Sequence, residues 1–460
     1  MITPGIFKAN DIRGTTEGPA PAWDAKGAHA IGAALVDVLD LTDAEGALVV
    51  GRDMRLSSPQ MSAAFISGVV SRGVDVIDIG LASTDELWFA SGSLGLPGAM
   101  FTASHNPGTD NGIKFCLAGA KPIAPEQLKA IADRVLGEQP SGPAPDVAPG
   151  TLTERDLLPE YAAYLHSLVD LSGIRRLTVV ADAGNGMAGH TLPAVLGETN
   201  LELIGLYTDP DGTFPNHAPN PLEPQNLLDA QQAVRDYRVD LALVFDGDAD
   251  RCFIIDERGE VVSPSAITAM IAIAELRRDP GATIVCNKIT SWTVREVVRE
   301  AGGKIVITRV GHTFVKAAMA EHDAIFGGEH SAHYYFRDFW GADTGMLAAM
   351  HVLAAAGATE QPLSELVSAF DRYVASGEIN SAVPDQQRAM ERVAAAFAGR
   401  GEQDWMDGLT VAGPDWWLNV RPSNTEPLLR LNVEAKSPEQ MAALRDETLG
   451  LTRGNGAERA

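Results

Sequence analysis

Cysteine is scarce in this chain of 460 residues: Cys116, Cys252 and Cys286 are three, odd in number and far apart. That spacing builds neither a zinc-finger ligand set nor a disulfide framework. It fits a reducing compartment, with each thiol read as a small buried hydrophobe. Long apolar runs are missing too. No stretch reaches the ~20 residues of a membrane span, and Met1-Ile2-Thr3-Pro4-Gly5 places no basic region ahead of a hydrophobic segment. The expectation is a cytoplasmic protein with no membrane partner. Basic residues are the third shortage: Lys and Arg number 36 against 61 Asp and Glu, a formal charge of −25. Such a chain is a poor general binder of nucleic acid or of an anionic membrane. If its ligand is a small anion, the basic residues must be concentrated where that ligand binds.

What is present is an ordinary apolar content of 45% on a chain too long for one core. Short apolar runs at 47–50, 74–79, 177–181, 201–206, 241–245, 283–285 and 304–308 alternate with segments of helical spacing such as 62–70 and 266–276. Strand-sized runs alternating with helices predict α/β layers. A Pro/Gly-rich stretch from Gln139 to Gly150 reads as a linker, a turn at Glu257-Arg258-Gly259 as a second break, and the end of an alanine-rich helix at 346–358 as a third. The chain end from Arg453 is polar and predicted to fray. No close sequence repeat is visible, yet each of the first three segments sets a polar, Gly-rich motif after a β-like run. In open α/β layers, ligands gather at the carboxyl ends of strands.

The first such motif is Thr102-Ala103-Ser104-His105-Asn106-Pro107, followed by Asp110-Asn111-Gly112-Ile113-Lys114. Asn-Pro and Asn-Gly favour turns, so Ser104 is presented on a loop. His105 and Lys114 add positive charge and proton-transfer capacity, which suits a hydroxyl that carries a phosphoryl group. A serine on a turn is also commonly a solvated loop residue or a helix cap. The second motif, Asp246-Gly247-Asp248-Ala249-Asp250-Arg251, follows the run 241–245. Carboxylates at alternate positions point one way if strand geometry continues. Packed together they repel without a cation, and an oxygen-only set suits a hard divalent ion. Asp246, Asp248, Asp250 and Glu257 match EF-hand spacing, but the sharp turn needs Gly at loop position six, where Arg251 stands, and the flanks read as strands. An aspartate-nucleophile phosphatase also places Asp-x-Asp after a hydrophobic strand; the third Asp and the adjacent Arg lie outside that pattern.

Arg421-Pro422-Ser423-Asn424-Thr425-Glu426-Pro427 lies before a cleanly alternating run, with Leu429, Leu431 and Val433 on one side. This hairpin-like loop offers a guanidinium fork, two hydroxyls and an amide, the inventory of a phosphate cradle or of a plain polar turn. In Gly327-Gly328-Glu329-His330-Ser331-Ala332-His333, the residues Glu329, Ser331 and His333 alternate and could face a sugar, with Tyr334, Tyr335, Phe336 and Trp340 following. Singly, Glu329 reads as a surface charge and the aromatics as core. Arg309 to Lys316 resembles a loop opening a helix, an anion site in form, and Asp11-Ile12-Arg13-Gly14 puts another arginine on a turn.

In succession these motifs resemble the α-D-phosphohexomutase family, in particular its bacterial phosphomannomutase/phosphoglucomutase branch. The residues that carry the resemblance are 11–14, 102–107 with 111–114, 246–251, 311–312, 328–333 and 421–427, in the family's order across nearly the whole chain. It implies three related α/β/α domains and a smaller C-terminal α+β domain around a central cleft. Residues 1–150 would carry a phosphoserine loop, 151–257 a metal loop, 258–368 a sugar loop and 369–460 a phosphate loop. It implies a phosphoserine at Ser104 and Mg²⁺ held by Asp246, Asp248, Asp250 and a phosphoserine oxygen. Arg13, His105, Lys114 and Arg251 would surround the moving phosphoryl group, with Lys114 a proton shuttle. Glu329, Ser331 and His333 would read the sugar, with Lys288 and His312 as further contacts, and Arg421, Ser423, Asn424 and Thr425 would hold the other phosphate.

The implied activity is interconversion of hexose 6-phosphate and hexose 1-phosphate, mannose and also glucose, with hexose 1,6-bisphosphate as intermediate and activator. The implied protein is a cytoplasmic monomer or homodimer. Ser-Asn-Thr at 423–425 favours unmodified hexoses over the glucosamine branch, which usually shows Ser-Gly-Thr. Three residues depart from the pattern: Asp85 follows Thr84 where proline is common, Asn10 stands where an aromatic is frequent, and Ala332 replaces a usual glycine. An aspartate-nucleophile phosphotransferase and an inactive phosphosugar-binding homologue are the alternatives.

Overall fold

The apolar run at 47–50 becomes the strand Ala47–Arg52, which pairs in parallel with Asp75–Leu81 and with Gly98–Phe101. Asp110–Leu117 then runs antiparallel to Gly98–Phe101 and to Ile12–Thr15. A computed structural model describes residues 1–42, 46–137, 147–423 and 428–453. Most of the linker expected at 139–150 lies outside these. The strands follow the order Ile12–Thr15, Asp110–Leu117, Gly98–Phe101, Ala47–Arg52, Asp75–Leu81, Leu152–Glu154. The helices Ala25–Leu39, Ser58–Val70 and Pro125–Leu136 cover this sheet, and Ile31, Leu35, Val50, Phe65, Phe101 and Ile131 fill the core between them. Arg13 sits on the strand Ile12–Thr15, not on a turn as its Gly neighbour suggested.

A second sheet orders Val261–Val262, Cys252–Asp256, Leu241–Phe245, Leu177–Asp182 and Leu201–Leu206. Its last three strands are parallel and Cys252–Asp256 is antiparallel. The central strand Leu241–Phe245 is apolar at every position because every residue on it is buried. These two sheets, with the antiparallel pair Tyr334–Phe336 and Ala342–Asp343 and the helix Gly345–Gly357, belong to one compact unit, Met1–Pro264 plus Ser331–Leu366. The two strands that matter most, Gly98–Phe101 and Leu241–Phe245, each run straight into a polar motif, the serine loop in one case and the acidic turn in the other.

The other unit comprises Ser265–His330 and Val367–Ala460. Thr283–Asn287 pairs in parallel with Lys304–Thr308 and Phe326–Gly328, and the helices Trp292–Glu300 and His312–Glu321 connect them. The C-terminal part is an antiparallel sheet, with Leu428–Ala435 between Val374–Ala375 and Trp416–Pro422, continued by Leu409–Ala412 and Glu402–Asp404. Leu429, Leu431 and Val433 point into a core closed by Val393, Phe397 and Leu444 of two helices. Burying such side chains stabilises by about 1.5–3 kcal/mol each. Arg421 pairs with Arg430 across the hairpin. The three cysteines are buried, and no helix among the described residues is long and apolar enough to cross a membrane.

Candidate active site

Ser104 is the third residue after the strand Gly98–Phe101, buried, with φ of +51°. The left-handed region is uncommon for a residue with a Cβ and persists only where the surroundings over-determine it. Here they do. Thr102 Oγ1 accepts the Ser104 N–H at 2.9 Å. Beneath the loop lies Arg55, fully buried, whose guanidinium donates to the carbonyls of Ser104 and Asn106 at 2.8 Å, Pro107 at 2.6 Å and Asp110 at 2.9 Å. Its Nε donates to Asp53 Oδ2 at 3.0 Å, and Ser58 donates to the other oxygen of Asp53 at 2.6 Å. A planar five-donor group is the one side chain that can close four carbonyls at once. Gly51-Arg52-Asp53 was visible in the sequence, but nothing there assigned Arg55 to this loop.

The acidic motif meets the same place from the second sheet. Residues 246–250 form a turn beyond the strand, with Ala249 at φ +62°, so the carboxylates converge from a turn and not from continued strand geometry. A Cβ at Gly247 would lie 2.5 Å from the Ser104 carbonyl oxygen, so the two turns touch backbone to backbone. Ser104 Oγ donates to Asp246 Oδ2 at 3.1 Å. Arg251 Nε donates to the same carboxylate at 2.9 Å, and its Nη2 donates to His105 Nδ1 at 2.8 Å. Nδ1 therefore acts as an acceptor, and His105 is neutral: burial first, then Arg251 and Arg13, hold it well below the usual histidine range.

Lys114 Nζ donates to Asp248 Oδ2 and to Asp250 Oδ2, each at 2.6 Å. Burial works against the ammonium, but these two carboxylates outweigh it and raise Lys114. Burial pushes Asp246 up, opposed by Arg251. Asp250 is held at about 2, since Lys114 overcomes its burial. Asp246, Asp248 and Asp250 each offer an oxygen within 4.8 Å of the others. Asp248 Oδ1 and Asp250 Oδ1 are buried and accept no hydrogen bond. Leaving a buried anionic oxygen unpaired is costly. Asp250 Oδ1 has Arg251 Nε at 3.8 Å, and an all-oxygen set that leaves Asp248 Oδ1 without a partner fits a hard divalent cation.

Arg13 Nε pairs with Asp11 at 2.7 Å, and its Nη1 reaches the Ala103 carbonyl and Asn106 Oδ1, each at 3.4 Å. His333 Nε2 lies 4.0 Å from Asp250 Oδ1, and its Nδ1 is 2.9 Å from Ser331 Oγ. Asp343, which the sequence did not single out, groups with Asp250 and His333. The structure thus brings Ser104, His105, Lys114, Arg13, Arg251, the three aspartates, Ser331 and His333 into one unit, where each of the three cations Arg13, Lys114 and Arg251 is paired with aspartates.

The remaining predicted residues belong to the other unit. Residues 329–333 form a turn, with Ala332 at φ +63°, so the alternation of Glu329, Ser331 and His333 is not that of a strand. Glu329 Oε1 accepts from Asn287 Nδ2 at 2.9 Å and from the Gly311 N–H at 3.2 Å. Asn287, at the end of its strand, is a further residue that sequence reading missed. Lys288 pairs with Asp404. His312 is half-buried at the first turn of its helix. Arg421 donates to Glu378 Oε2 at 2.5 Å and to Asn432 Oδ1 at 2.8 Å, and Glu378 also faces Arg430 at 3.4 Å. His330, next to this group, is lowered to about 4 by burial and by Arg421. Ser423 N–H closes the hairpin on the Leu428 carbonyl at 2.8 Å. Asn424 and Thr425 lie outside the described residues.

A buried serine hydroxyl among fixed cations, beside a carboxylate trio on α/β sheets, is an arrangement suited to phosphoryl transfer. Residues 4–141, 159–259 and 263–373 match the phosphoglucomutase/phosphomannomutase α/β/α domains I, II and III, and 378–451 match that family's C-terminal domain. The chain belongs to the phosphoglucomutase/phosphomannomutase family. It is similar to a phosphomannomutase of Salmonella typhimurium, 39% identical over 412 residues, covering 87% of this chain and 90% of that one. Phosphohexose mutases of Xanthomonas campestris are 37% identical over 458 residues, covering 98% of this chain and 100% of theirs. A solved family member from Burkholderia thailandensis superposes with a TM-score of 0.89 at 31% identity, covering 99% of each chain.

Proposed function

We propose that this phosphohexomutase interconverts the 6- and 1-phosphates of mannose, and also of glucose, through a phosphoserine at Ser104. The observation that carries the reading is the Ser104 hydroxyl itself, buried at 3.1 Å from Asp246 with Arg251, Lys114 and Arg13 within the same group of residues. In the charged enzyme the phosphoryl group is an ester of Ser104 Oγ. A free sugar hydroxyl attacks phosphorus, the Oγ–P bond breaks as the new O–P bond forms, the hydroxyl proton passes to a protein base, and the departing Ser104 Oγ takes a proton to become a hydroxyl. The product, hexose 1,6-bisphosphate, reorients and returns its other phosphoryl group to Ser104, so the enzyme ends as it began.

Such transfer depends on positioning and on charge neutralisation more than on covalent chemistry. Arg251 and Arg13 donate to the phosphoryl oxygens. Lys114 is the group that holds and releases the proton. Glu329, Ser331 and His333, with Lys288 and His312, are assigned to the sugar, and Arg421, Ser423, Asn424 and Thr425 to the phosphate that does not react. Asp246, Asp248 and Asp250 would hold Mg²⁺, which when bound would offset part of the negative charge of the three carboxylates and the phosphoryl group. Added hexose 1,6-bisphosphate acts as activator by recharging Ser104. Three buried thiols support a cytoplasmic location; monomer and homodimer are both consistent with the reading.

The test is direct. Mass spectrometry of the purified enzyme is expected to place a phosphate on Ser104, and Ser104→Ala is expected to lower kcat at least ~10³-fold. A phosphate on Asp246 in its place overturns the proposal in favour of an aspartyl phosphotransferase. Tight sugar-phosphate binding with no isomerisation, even after bisphosphate priming, would mark an inactive homologue. Comparing kcat/KM for mannose 1-phosphate, glucose 1-phosphate and glucosamine 1-phosphate fixes the substrate order, with glucosamine 1-phosphate expected last.

A further inference from the structure

The helix Thr84–Leu94 begins with four polar residues, Ser83-Thr84-Asp85-Glu86, all of them buried. Burying hydroxyls and carboxylates at a helix start needs specific partners, and one of these residues, Thr84, finds its partner in the acidic turn. Thr84 Oγ1 donates to Asp248 Oδ2 at 2.6 Å, and the Thr84 N–H donates to the Asp248 carbonyl at 3.0 Å. Side chain and backbone of one threonine thus grip one aspartate twice. Lys114 takes the same Oδ2. Together they use up one oxygen of Asp248 and leave Oδ1 buried, with no hydrogen bond. Which carboxylate oxygen faces the carboxylate trio is therefore decided by Thr84 and Lys114.

Thr84 is in turn fixed by its neighbour. Asp85 accepts from Ser83 Oγ at 2.5 Å, from Tyr161 OH at 2.7 Å and from Thr344 Oγ1 at 2.7 Å. Its carboxylate ties the first turn of the helix to the helix Leu158–Leu168 and to the N-cap of Gly345–Gly357. Thr344 directly follows Asp343, the residue that groups with Asp250 and His333. Gly345, one residue on, packs so closely that a Cβ there would lie 2.7 Å from the Arg251 carbonyl carbon. One buried carboxylate accordingly registers the acidic turn against two other segments of its unit.

We propose that Thr84 and Asp85 are positioning residues for the metal-binding turn: Thr84 selects the Asp248 oxygen offered to the cation, and Asp85 fixes Thr84. The proposal rests on the reading of Asp246, Asp248 and Asp250 as cation ligands. Partners that orient a ligand in this way are worth 10–100-fold in metal affinity. The probe is Mn²⁺ alone, titrated into full-length enzyme without sugar phosphate and followed by the electron paramagnetic resonance of the free ion. Thr84→Val is nearly isosteric and cannot donate; the expected result is ~10-fold weaker Mn²⁺ binding. Thr84→Ser restores the donor and is expected within about twofold of wild type. Asp85→Asn is expected to weaken binding in the same direction.

Steady-state kinetics at sub-saturating Mg²⁺ should then show the Thr84→Val deficit in kcat far more than in the KM for sugar phosphate, and raising Mg²⁺ should narrow it. Unchanged Mn²⁺ affinity and kcat in Thr84→Val overturn the proposal, as does a Thr84→Ser protein as weak as Thr84→Val, since packing alone would then explain both. If Thr84→Val does not fold, Thr84→Ala against Thr84→Ser makes the same comparison. Wild-type enzyme that binds no Mn²⁺ overturns the cation reading itself, an outcome distinct from a wild type that binds and a Thr84→Val that binds equally.

Discussion

Arg55 shows how much one side chain can settle. It touches no expected position of substrate, yet four carbonyls of the serine loop end on it, and Asp53 and Ser58 hold it from behind. A lysine keeps the charge but offers three donors on a flexible stem. Arg55→Lys is expected to lower kcat ~10²-fold with little change in KM, because a displacement near 1 Å is enough to cost that much in a transfer reaction; steady-state kinetics decide it. Glu86 shows a different effect. Burial, and next the charge of Asp85, raise it from 4.5 to about 8. Below pH 4.5 it is neutral in both folded and unfolded chain. Between 4.5 and 8 the unfolded chain releases the proton while the folded protein keeps it, so stability falls as pH rises. Glu86→Gln is neutral throughout and should flatten that slope, with a gain on the order of 1–3 kcal/mol at pH 8, read from urea melts at pH 5 and pH 8. Neither residue's role could be read from the sequence, since Arg55 depends on carbonyls of residues 104–110 and Glu86 on burial in the fold.

The strands were legible because buried parallel strands need short apolar runs, and Leu241–Phe245 and Ala47–Arg52 stand where those runs predicted them. The hairpin that carries Arg421 was legible from period-two alternation, which the buried Leu429, Leu431 and Val433 satisfy. The turns beyond the strands were not legible. Alternating carboxylates at 246–250 and alternating polar groups at 329–333 both leave strand geometry, through left-handed Ala249 and Ala332. Alternation counts residues and cannot show where a chain turns. The serine and acidic turns then meet at Gly247, where any side chain would strike the Ser104 carbonyl. Gly247→Ala is expected to separate them, with at least ~10-fold loss of kcat and ~1–3 kcal/mol of stability; thermal denaturation beside kinetics tests both parts.

The net charge of −25 makes the chain a poor general binder of nucleic acid and anionic membranes, and it also sets a kinetic condition. Sugar phosphates approach a repelling background to reach cations that are partly buried, such as Arg13 and Lys114, at 21% and 15% side-chain exposure. Salt screens the distant background more than short contacts. From 10 mM to about 100 mM salt, kcat/KM is expected to rise severalfold before direct competition lowers it, and a monotonic fall would contradict this. The organisation was legible only in part. Breaks in composition mark chain connections, whereas compactness follows contacts: the match to domain III, residues 263–373, is divided between two units at His330 and Ser331.

The backing of the serine loop has one more consequence. Because the Ser104 carbonyl is pinned by Arg55 and abuts Gly247, an ester on Ser104, as proposed, would load and unload by rotation about side-chain bonds alone. Such a carrier would return to the same coordinates after every cycle without resetting its main chain. The forward and reverse reactions would then share a single, unchanging starting point.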